Sequence, residues 1–339
     1  MEQRLEQEIE AKRNKDLLMS YGLLPFENRQ ELVGRYEFIK KFEKESRQFG
    51  AQRRASEAAA AAMALRNLST KAGYADIMRL TLAMETELVK TYAEYFEWQS
   101  VGDVRLRITV DELGRAELCC EKDGKAQKSV PAALKKDETV LAIKEVHKKL
   151  KEQYSRTVKM FEAAMETGEL FLAEELQNLC SNPVTAVIVR SLVFVTADGE
   201  AMGFWGSLHP DKTMVLCDWN GEAYELPPEK ELRVAHCFDM YCASVWSNYQ
   251  EYFKRMLEEG KVYQQPFRQV FRELYVKLPE EQDMFYSRMF AGNQIQPSKT
   301  VACLKNRKWV ADYEEGLQKV YYKQNIIARI YALADWFSP

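Results

Sequence analysis

The sequence of 339 residues contains little of what the familiar catalytic and metal sites require. It has only three histidines and no Cys-x-x-Cys pair, and its nearest ligand cluster is His236, Cys237 and Cys242. A zinc site needs three or four convergent ligands, so we predict no metal site. The segment 206–213 has a Lys-Thr pair without the glycines of a phosphate-binding loop. We therefore assign no catalytic residue and predict no cofactor.

The sequence also lacks a large excess of charge of either sign. The chain carries 48 Lys and Arg against 51 Asp and Glu, a net charge of −3, and 46% of its residues are hydrophobic. These values are typical of a globular protein. They exclude a disordered polymer, a collagen-like repeat and a strongly basic protein that wraps nucleic acid.

Long hydrophobic runs are missing as well. The longest, 184–195, is too short to span a bilayer and is interrupted by Arg190. Residues 1–10 are polar and lack the apolar core of a secretory signal. The seven cysteines are an odd and sparse set within apolar segments, as expected for free thiols in a reducing compartment. We predict a cytoplasmic protein without a membrane partner.

Hydrophobic periodicity indicates helices in the first hundred residues. Leu32, Tyr36, Ile39 and Phe42 share one helical face, and another apolar stripe runs from Ile77 to Tyr95. The run 58–62 consists of alanines, whose small side chains allow a second helix to approach closely.

The period then changes to that of strands. Residues 104–110 and 116–120 alternate around Gly114, and Gly124 marks a second turn, which predicts a three-stranded meander. Apolar residues then recur every three or four positions from Val140 to Met165, which predicts a long helix ending at Gly168.

The remaining sequence mixes short strands and helices. We predict strands at 191–196, 201–207, 213–218, 223–226 and 274–278, helices at 172–180, 245–256 and 300–306, and a final strand pair at 318–323 and 326–333. The fold class is therefore α+β. Its predicted parts are a helical region 1–100, a small β-meander insertion 101–135 and an α+β domain 136–339.

One apolar aromatic segment carries two arginines four residues apart, Arg268 and Arg272. Together with Gln269, Glu273 and His236 they form a candidate ligand site or an internal network. Guanidinium groups can grip a phosphate or carboxylate with two hydrogen bonds, but buried arginines are more often paired within the fold. We expect Arg272 to be largely buried and paired with a carboxylate.

Positive charge is concentrated near the front of the chain. Residues 40–72 carry eight Lys or Arg and three Asp or Glu, whereas residues 73–267 carry 23 and 32. Arg47, Arg53 and Arg54 are therefore candidate anion-binding residues. The alternative is an ordinary solvated helix face.

The segment Gln265-Pro266-Phe267-Arg268-Gln269, with Arg272-Glu273 and Tyr275 after it, belongs to a longer pattern. His236 and Trp246 precede it, and 286–292 and Arg307-Lys308-Trp309 follow it. Over about residues 140–339 this pattern resembles the C-terminal domain of bacterial molybdate metabolism regulator-like proteins, a domain of unknown function often attached to a WGR domain. Residues 45–57 resemble the segment that precedes that domain. No WGR module is visible here, and Cys237 stands where the family tends to have proline.

Three functions are compatible with these observations. The leading one is a non-catalytic regulatory or assembly module that binds protein partners, because no catalytic set is found and the resemblance implies regulation. The alternative is a nucleic-acid or nucleotide-linked effector that uses the clustered arginines. The third is an enzyme whose site would require Arg268, Arg272, Glu273 and His236 to converge on one pocket.

The end of the chain gives a further expectation. In the resembling family, 326–337 falls within the domain, so we expect a fragment or shortened member. Its last strand would then expose an unpaired edge and apolar side chains, including Ile327, Trp336 and Phe337.

Overall fold

The computed structural model describes residues 2–206, 214–260, 265–281, 285–287, 289, 291–305, 307–312, 316–322 and 324–332. The fold is α+β, as predicted, with a helical front and three antiparallel sheets. None of the helices in these residues combines the length and apolar character needed to cross a membrane.

Five α-helices form the front of the molecule, and short polar side chains fix where three of them begin. Asn14, Asn28 and Asp76 each accept hydrogen bonds from main-chain N–H groups of the first turn. The helices are α1 (Glu2–Lys12), α2 (Lys15–Tyr21), α3 (Arg29–Glu45), α4 (Ala51–Lys71) and α5 (Ile77–Thr91). Short 3₁₀ turns, Ser46–Gln48 and Ala93–Phe96, follow α3 and α5.

The predicted apolar stripe of α3 is buried against α2, α4 and α5. Leu32, Tyr36 and Ile39 are at most 2% exposed. The alanine-rich helix α4 is approached closely just beyond the predicted run 58–62, because Gly22 after α2 lies directly against the main chain of Ala64. Gly22 at the end of α2 and the small side chains of α4 therefore set this packing distance.

The first sheet contains the predicted meander and one additional strand. Its strands, in spatial order, are β1 (Gln99–Val101), β2 (Val104–Val110), β3 (Ala116–Lys122) and β4 (Lys125–Gln127). Only three residues of β1 pair with β2, which explains why no alternating pattern marks that strand in the sequence.

Helix α6 (Glu138–Thr167) connects two cores and confirms the predicted long helix. It begins at Asp137, whose side chain caps the first turn, and ends at Gly168 with φ +67°. The left-handed backbone conformation at this position favours glycine. Val140 and Ile143 pack under the first sheet, whereas Phe161 and Met165 pack under the second.

The second sheet has six strands, all antiparallel. In chain order its elements are β5 (Leu170–Leu172), α7 (Ala173–Leu179), α8 (Pro183–Ser191), β6 (Val193–Thr196), β7 (Met202–Trp205), β8 (Met214–Cys217), β9 (Ala223–Leu226), β10 (Glu231–Val234), α9 (Cys237–Cys242) and α10 (Trp246–Glu258). The spatial order is β5-β10-β6-β7-β8-β9. The four strands predicted between 191 and 226 are confirmed.

The last part of the described chain contains a 3₁₀ segment and a small sheet. The 3₁₀ segment spans Pro266–Phe271, and helix α11 spans Pro297–Lys305. The predicted strand at 274–278 is wrong, because this segment is irregular and pairs with no strand of the described chain. Strands β11 (Val310–Asp312), β12 (Gly316–Tyr321) and β13 (Ile326–Ile330) form the third sheet in that order, which confirms the predicted final pair.

Candidate functional site

The first candidate set from the sequence lies around Gln269, whose side chain is completely buried. Its Oε1 atom accepts a hydrogen bond from the Val193 N–H at 2.9 Å. Its Nε2 atom donates to the carbonyl oxygens of Val193 at 2.8 Å and of Ala235 at 2.7 Å. The amide therefore pairs with the main chain where β6 and β10 meet, and it is occupied by structural contacts.

A second glutamine fixes Gln269 in this position. The Nε2 atom of Gln265 donates to Oε1 of Gln269 at 2.8 Å, and its own Oε1 accepts from the Val270 N–H at 2.8 Å. Between the two glutamines the main chain turns through left-handed conformations, with φ +42° at Phe267 and +53° at Arg268. This turn leaves the Arg268 side chain exposed.

Arg272 has the carboxylate partner that the sequence predicts, but it is only half-buried. Its guanidinium binds Glu162 of α6, and its side chain is 29% exposed to solvent. Arg307 binds the same carboxylate at 2.7 Å. Two arginines from distant segments thus share one acid on α6, whereas the neighbouring Glu273 is exposed.

His236 caps helix α9. Its Nδ1 atom accepts a hydrogen bond from the Phe238 N–H at 3.1 Å, while the Asp239 carboxylate accepts from the His236 N–H at 2.8 Å. Burial lowers the pKa of His236, and Arg272 adds to this effect while Asp239 opposes it. The neutral imidazole is the form that can accept this bond.

The structure gives the four residues of the enzyme hypothesis different surroundings. Arg268 and Glu273 are exposed, Arg272 is paired with Glu162, and His236 holds a helix end. In the part of the chain that the structure describes, no three His, Cys, Asp or Glu side chains are grouped as metal ligands.

A different site lies in the helical front, where only the arginine cluster was predicted. A groove of about 780 Å³ runs between α3, the beginning of α4, α5 and α6. We call it the α3–α6 groove. Its volume is in the range typical of small-molecule sites.

Two of the three predicted anion-binding arginines line the groove. Arg47 and Arg54 are exposed, and among the described residues neither guanidinium has a hydrogen bond or an ion pair. Arg53 is different, because it binds Glu57 at 2.9 Å and lies over the Phe49 ring at 3.7 Å. The structure therefore brings Arg47 and Arg54 to the same groove and turns Arg53 away.

Helix α4 begins beside these arginines. Its N-cap is Gly50, which has no side chain to cap the first turn, and no acidic residue lies in that turn. The free N–H groups and the dipole of a helix N-terminus both favour an anion. Negative charge is consequently favoured near Arg47 and Arg54, although residues 50–53 themselves do not line the groove.

The floor of the groove contains buried polar atoms without partners. Tyr36 is 2% exposed and Gln153 is 3% exposed, yet neither the Tyr36 hydroxyl nor the Gln153 Nε2 atom has a hydrogen-bond partner among the described residues. The hydroxyl lies near Thr81 and Glu85 without the geometry of a hydrogen bond to either. Unpaired buried donors are costly, and ligand sites are places where they occur.

Glu85 is the acidic residue of the floor. It is 8% exposed and binds Arg156, whose side chain reaches it from α6. Burial raises the pKa of Glu85, and the attraction of Arg156 opposes this rise.

Ion pairs occupy most of the other charged groups at the rim. Lys149 Nζ donates to the Tyr92 hydroxyl at 3.2 Å and lies 3.5 Å from Glu37. Lys44 binds Glu145 at 2.5 Å. In total seven cations and five acids line the groove: Lys40, Lys41, Lys44, Arg47, Arg54, Lys149 and Arg156 against Glu37, Glu43, Glu85, Glu145 and Glu152. The groove is thus a positive region on a chain of net negative charge.

The polar floor of the groove was not predicted, although the sequence of α6 contains a signal for it. Gln153 and Thr157 fall on the buried stripe of α6 between Leu150 and Phe161. Polar residues at positions that the helical period assigns to the core point to a buried polar site. Tyr36 gave no such signal, because its ring fits the apolar stripe of α3.

Two family models match the chain. Residues 124–309 match the family described as "Domain of unknown function (DUF4132)", and residues 1–84 match the one described as "Family of unknown function (DUF5724)". No curated protein and no solved structure matches the chain. Neither description mentions molybdate or WGR modules, so that resemblance stays a prediction. The α3–α6 groove lies between α3 and α4 of one matched segment and α6 of the other.

Proposed function

Because this chain belongs to the family described as "Domain of unknown function (DUF4132)", which names no activity, we propose its function from the α3–α6 groove. The chain is a non-catalytic regulatory module that binds a small anionic ligand in this groove. The proposal keeps the regulatory role implied by the resemblance and replaces its protein partner with a small molecule as the primary ligand.

One observation carries this proposal. Within the residues that the structure describes, the groove combines the unpaired cationic groups of Arg47 and Arg54 with the unpartnered buried atoms of Tyr36 and Gln153. A ligand that pairs with these groups would remove a cost that the empty groove bears. The two excess positive charges would also attract anions.

The position of the groove supports a regulatory role. A ligand there would contact α3, α4, α5 and α6 together. Helix α6 extends from the groove to the second sheet. Binding would therefore stabilise the arrangement of the helical front on α6, and any partner that prefers this arrangement would bind more tightly.

The test uses pyrophosphate as a probe of anion binding. We expect pyrophosphate to raise the melting temperature of the full chain and to give a saturable calorimetric signal. The double variant Arg47→Gln/Arg54→Gln should lose most of this binding. The control Arg66→Gln/Lys71→Gln removes two exposed charges elsewhere on α4 and should bind like the wild type. Equal binding by both double variants, or no binding by the wild type, would contradict the proposal.

A second candidate function is assembly with a protein partner through β13. In the described chain β13 pairs only with β12, and Ile326, Ile327 and Tyr331 are more than half exposed. Trp336 and Phe337, which the sequence places in the same surface, lie outside the described residues. An open edge with apolar side chains favours pairing with another chain.

Light scattering can test this candidate. We expect association that increases with concentration and that is weakened by Ile327→Lys. The control Leu141→Lys replaces an equally exposed apolar residue, 53% against 54%, at the start of α6. A wild-type chain that stays monomeric at high concentration would exclude self-association through β13.

A further inference from the structure

We infer that the ligand of the α3–α6 groove is a nucleoside phosphate, with its phosphates at Arg47 and Arg54 and its base at the floor beside Tyr36 and Gln153. This inference rests on the proposed function and adds the chemical class and the orientation of the ligand. It follows from the difference between the two exposed arginines and the buried polar floor of the groove.

The arginine end suits phosphate oxygens. Guanidinium groups bind phosphates with paired hydrogen bonds, and no carboxylate in the described part of the chain engages Arg47 or Arg54. The N-terminus of α4 lies beside them without a capping side chain. The dipole of this helix end favours negative charge near the two guanidinium groups.

The floor suits a nucleobase. Its apolar surface comes from Leu88, Val89 and Leu150, and its polar atoms are those of Tyr36 and Gln153. A base has flat apolar faces and a polar edge, so it could cover the aliphatic side chains while its edge pairs with the two polar groups. The Gln153 Nε2 atom is a donor, which requires a carbonyl oxygen or an unprotonated ring nitrogen on the ligand.

The dimensions of the groove exclude a lone inorganic anion as a complete occupant. A phosphate or sulfate at the arginines would leave the Tyr36 hydroxyl and the Gln153 amide unpaired, and would fill only a small part of about 780 Å³. A nucleoside alone would in turn leave both guanidinium groups without an anion. Only a ligand with both a phosphate and a base pairs with the two arginines and with the polar atoms of the floor.

Calorimetric titration of the full chain tests this inference. The probes are ADP, GDP, CDP and UDP, with pyrophosphate and the four nucleosides as partial ligands. We expect at least one nucleoside diphosphate to bind about tenfold or more tightly than pyrophosphate, and tighter than its nucleoside. Arg47→Gln/Arg54→Gln should weaken it about tenfold or more, while Arg66→Gln/Lys71→Gln should not.

Variants of Gln153 test the orientation. Gln153→Leu should abolish the preference for the nucleotide over pyrophosphate and leave pyrophosphate affinity unchanged. Gln153→Glu replaces the amide donor with an acceptor of the same shape. It provides the same test if the leucine variant does not fold. Nucleotide affinity that is unchanged in the folded variants would overturn the assignment of the base to the floor.

The outcomes separate the two proposals. Pyrophosphate binding that depends on Arg47 and Arg54, without any gain from a base, would overturn the nucleoside inference and leave the anion-binding function in place. No binding of any probe would overturn both. Tighter binding to single-stranded DNA, with affinity that falls steeply as salt increases, would assign the surface to nucleic acid instead.

Discussion

The side chain of Gln269 pairs with both the N–H and the carbonyl group of Val193, which is 76 positions away in the sequence. The amide thus takes the place of a neighbouring main-chain peptide at the end of the β6–β10 ladder. Its Nε2 atom also donates to Ala235, so one side chain ties both strand ends to the segment that follows α10.

Gln269→Leu should destabilise the protein strongly. The leucine is similar in volume but cannot make these three hydrogen bonds, and the Val193 N–H and the Ala235 carbonyl would lose this partner in a buried place. We expect the free energy of unfolding to fall by about 3–5 kcal/mol, measured by denaturant titration. The same replacement at the exposed Gln52 of α4 should change it by about 0.5 kcal/mol or less. Similar values for the two variants would show that the hydrogen bonds contribute little.

The carboxylate of Glu162 should matter more than either arginine that binds it. Arg272→Gln removes one half-buried pair, and we expect a loss of about 1–3 kcal/mol. Glu162→Gln weakens the contacts of Arg272 and Arg307 together and should cost more. In a double-mutant cycle, Arg272→Gln should cost less when Glu162 is already replaced. Arg268→Gln, at an exposed position of the same segment, is the matched control; strictly additive effects in the cycle would argue against a shared network.

The imidazole of His236 should make stability depend on pH. Burial lowers its pKa below the ordinary value of 6.5, so the folded state binds fewer protons than the unfolded state between these two values. Stability therefore rises as pH increases toward 6.5 and is lost as pH falls below it. Protonation would also remove the acceptor for the Phe238 N–H.

His236→Asn separates this effect from other acid-sensitive groups. Asparagine is a good N-cap residue that does not titrate in this range. We expect the variant to show a shallower loss of stability than the wild type from about pH 7 to about pH 5, measured by urea unfolding at each pH. Identical pH profiles for the two proteins would mean that His236 is not responsible.

Elements that are specified by residues close together in the sequence were predictable, whereas elements that depend on contacts between distant segments were not. Helix α6 was predictable because its apolar period, its Asp137 cap and its terminal Gly168 are all local signals. Strand β5 was not, because its three residues acquire their conformation by pairing with β10. The strand predicted at 274–278 has β-forming residues but no partner strand among the described residues, and propensity alone does not make a strand.

The candidate sites show the same division. The sequence identified Gln269, Arg272 and His236 as polar groups in an apolar setting, but their partners Val193 and Glu162 are distant in the chain. Arg47 and Arg54 were predicted from charge alone. Their separation from Arg53 depends on Glu57 and Phe49, and hence on the way α3 turns into α4.

Two glycines of the helical front allow a matched test of packing. Gly22 has a right-handed helical conformation, with φ −63° and ψ −18°, so alanine would be acceptable to its main chain. A Cβ atom there would nevertheless lie 2.3 Å from the carbonyl oxygen of Ala64 and 3.1 Å from Cβ of Asn67. Gly34 is inside α3, and a Cβ atom at that position would meet nothing within 4 Å.

The same substitution should therefore have opposite effects at these two positions. Gly22→Ala forces α2 and α4 apart, and we expect it to lower the free energy of unfolding by about 1–3 kcal/mol. Gly34→Ala reduces the backbone entropy of the unfolded chain and should raise stability by about 0.5–1 kcal/mol. Thermal unfolding of both variants under one set of conditions gives the comparison. A stabilising effect of Gly22→Ala would contradict the close packing of Gly22 against the alanine-rich face of α4.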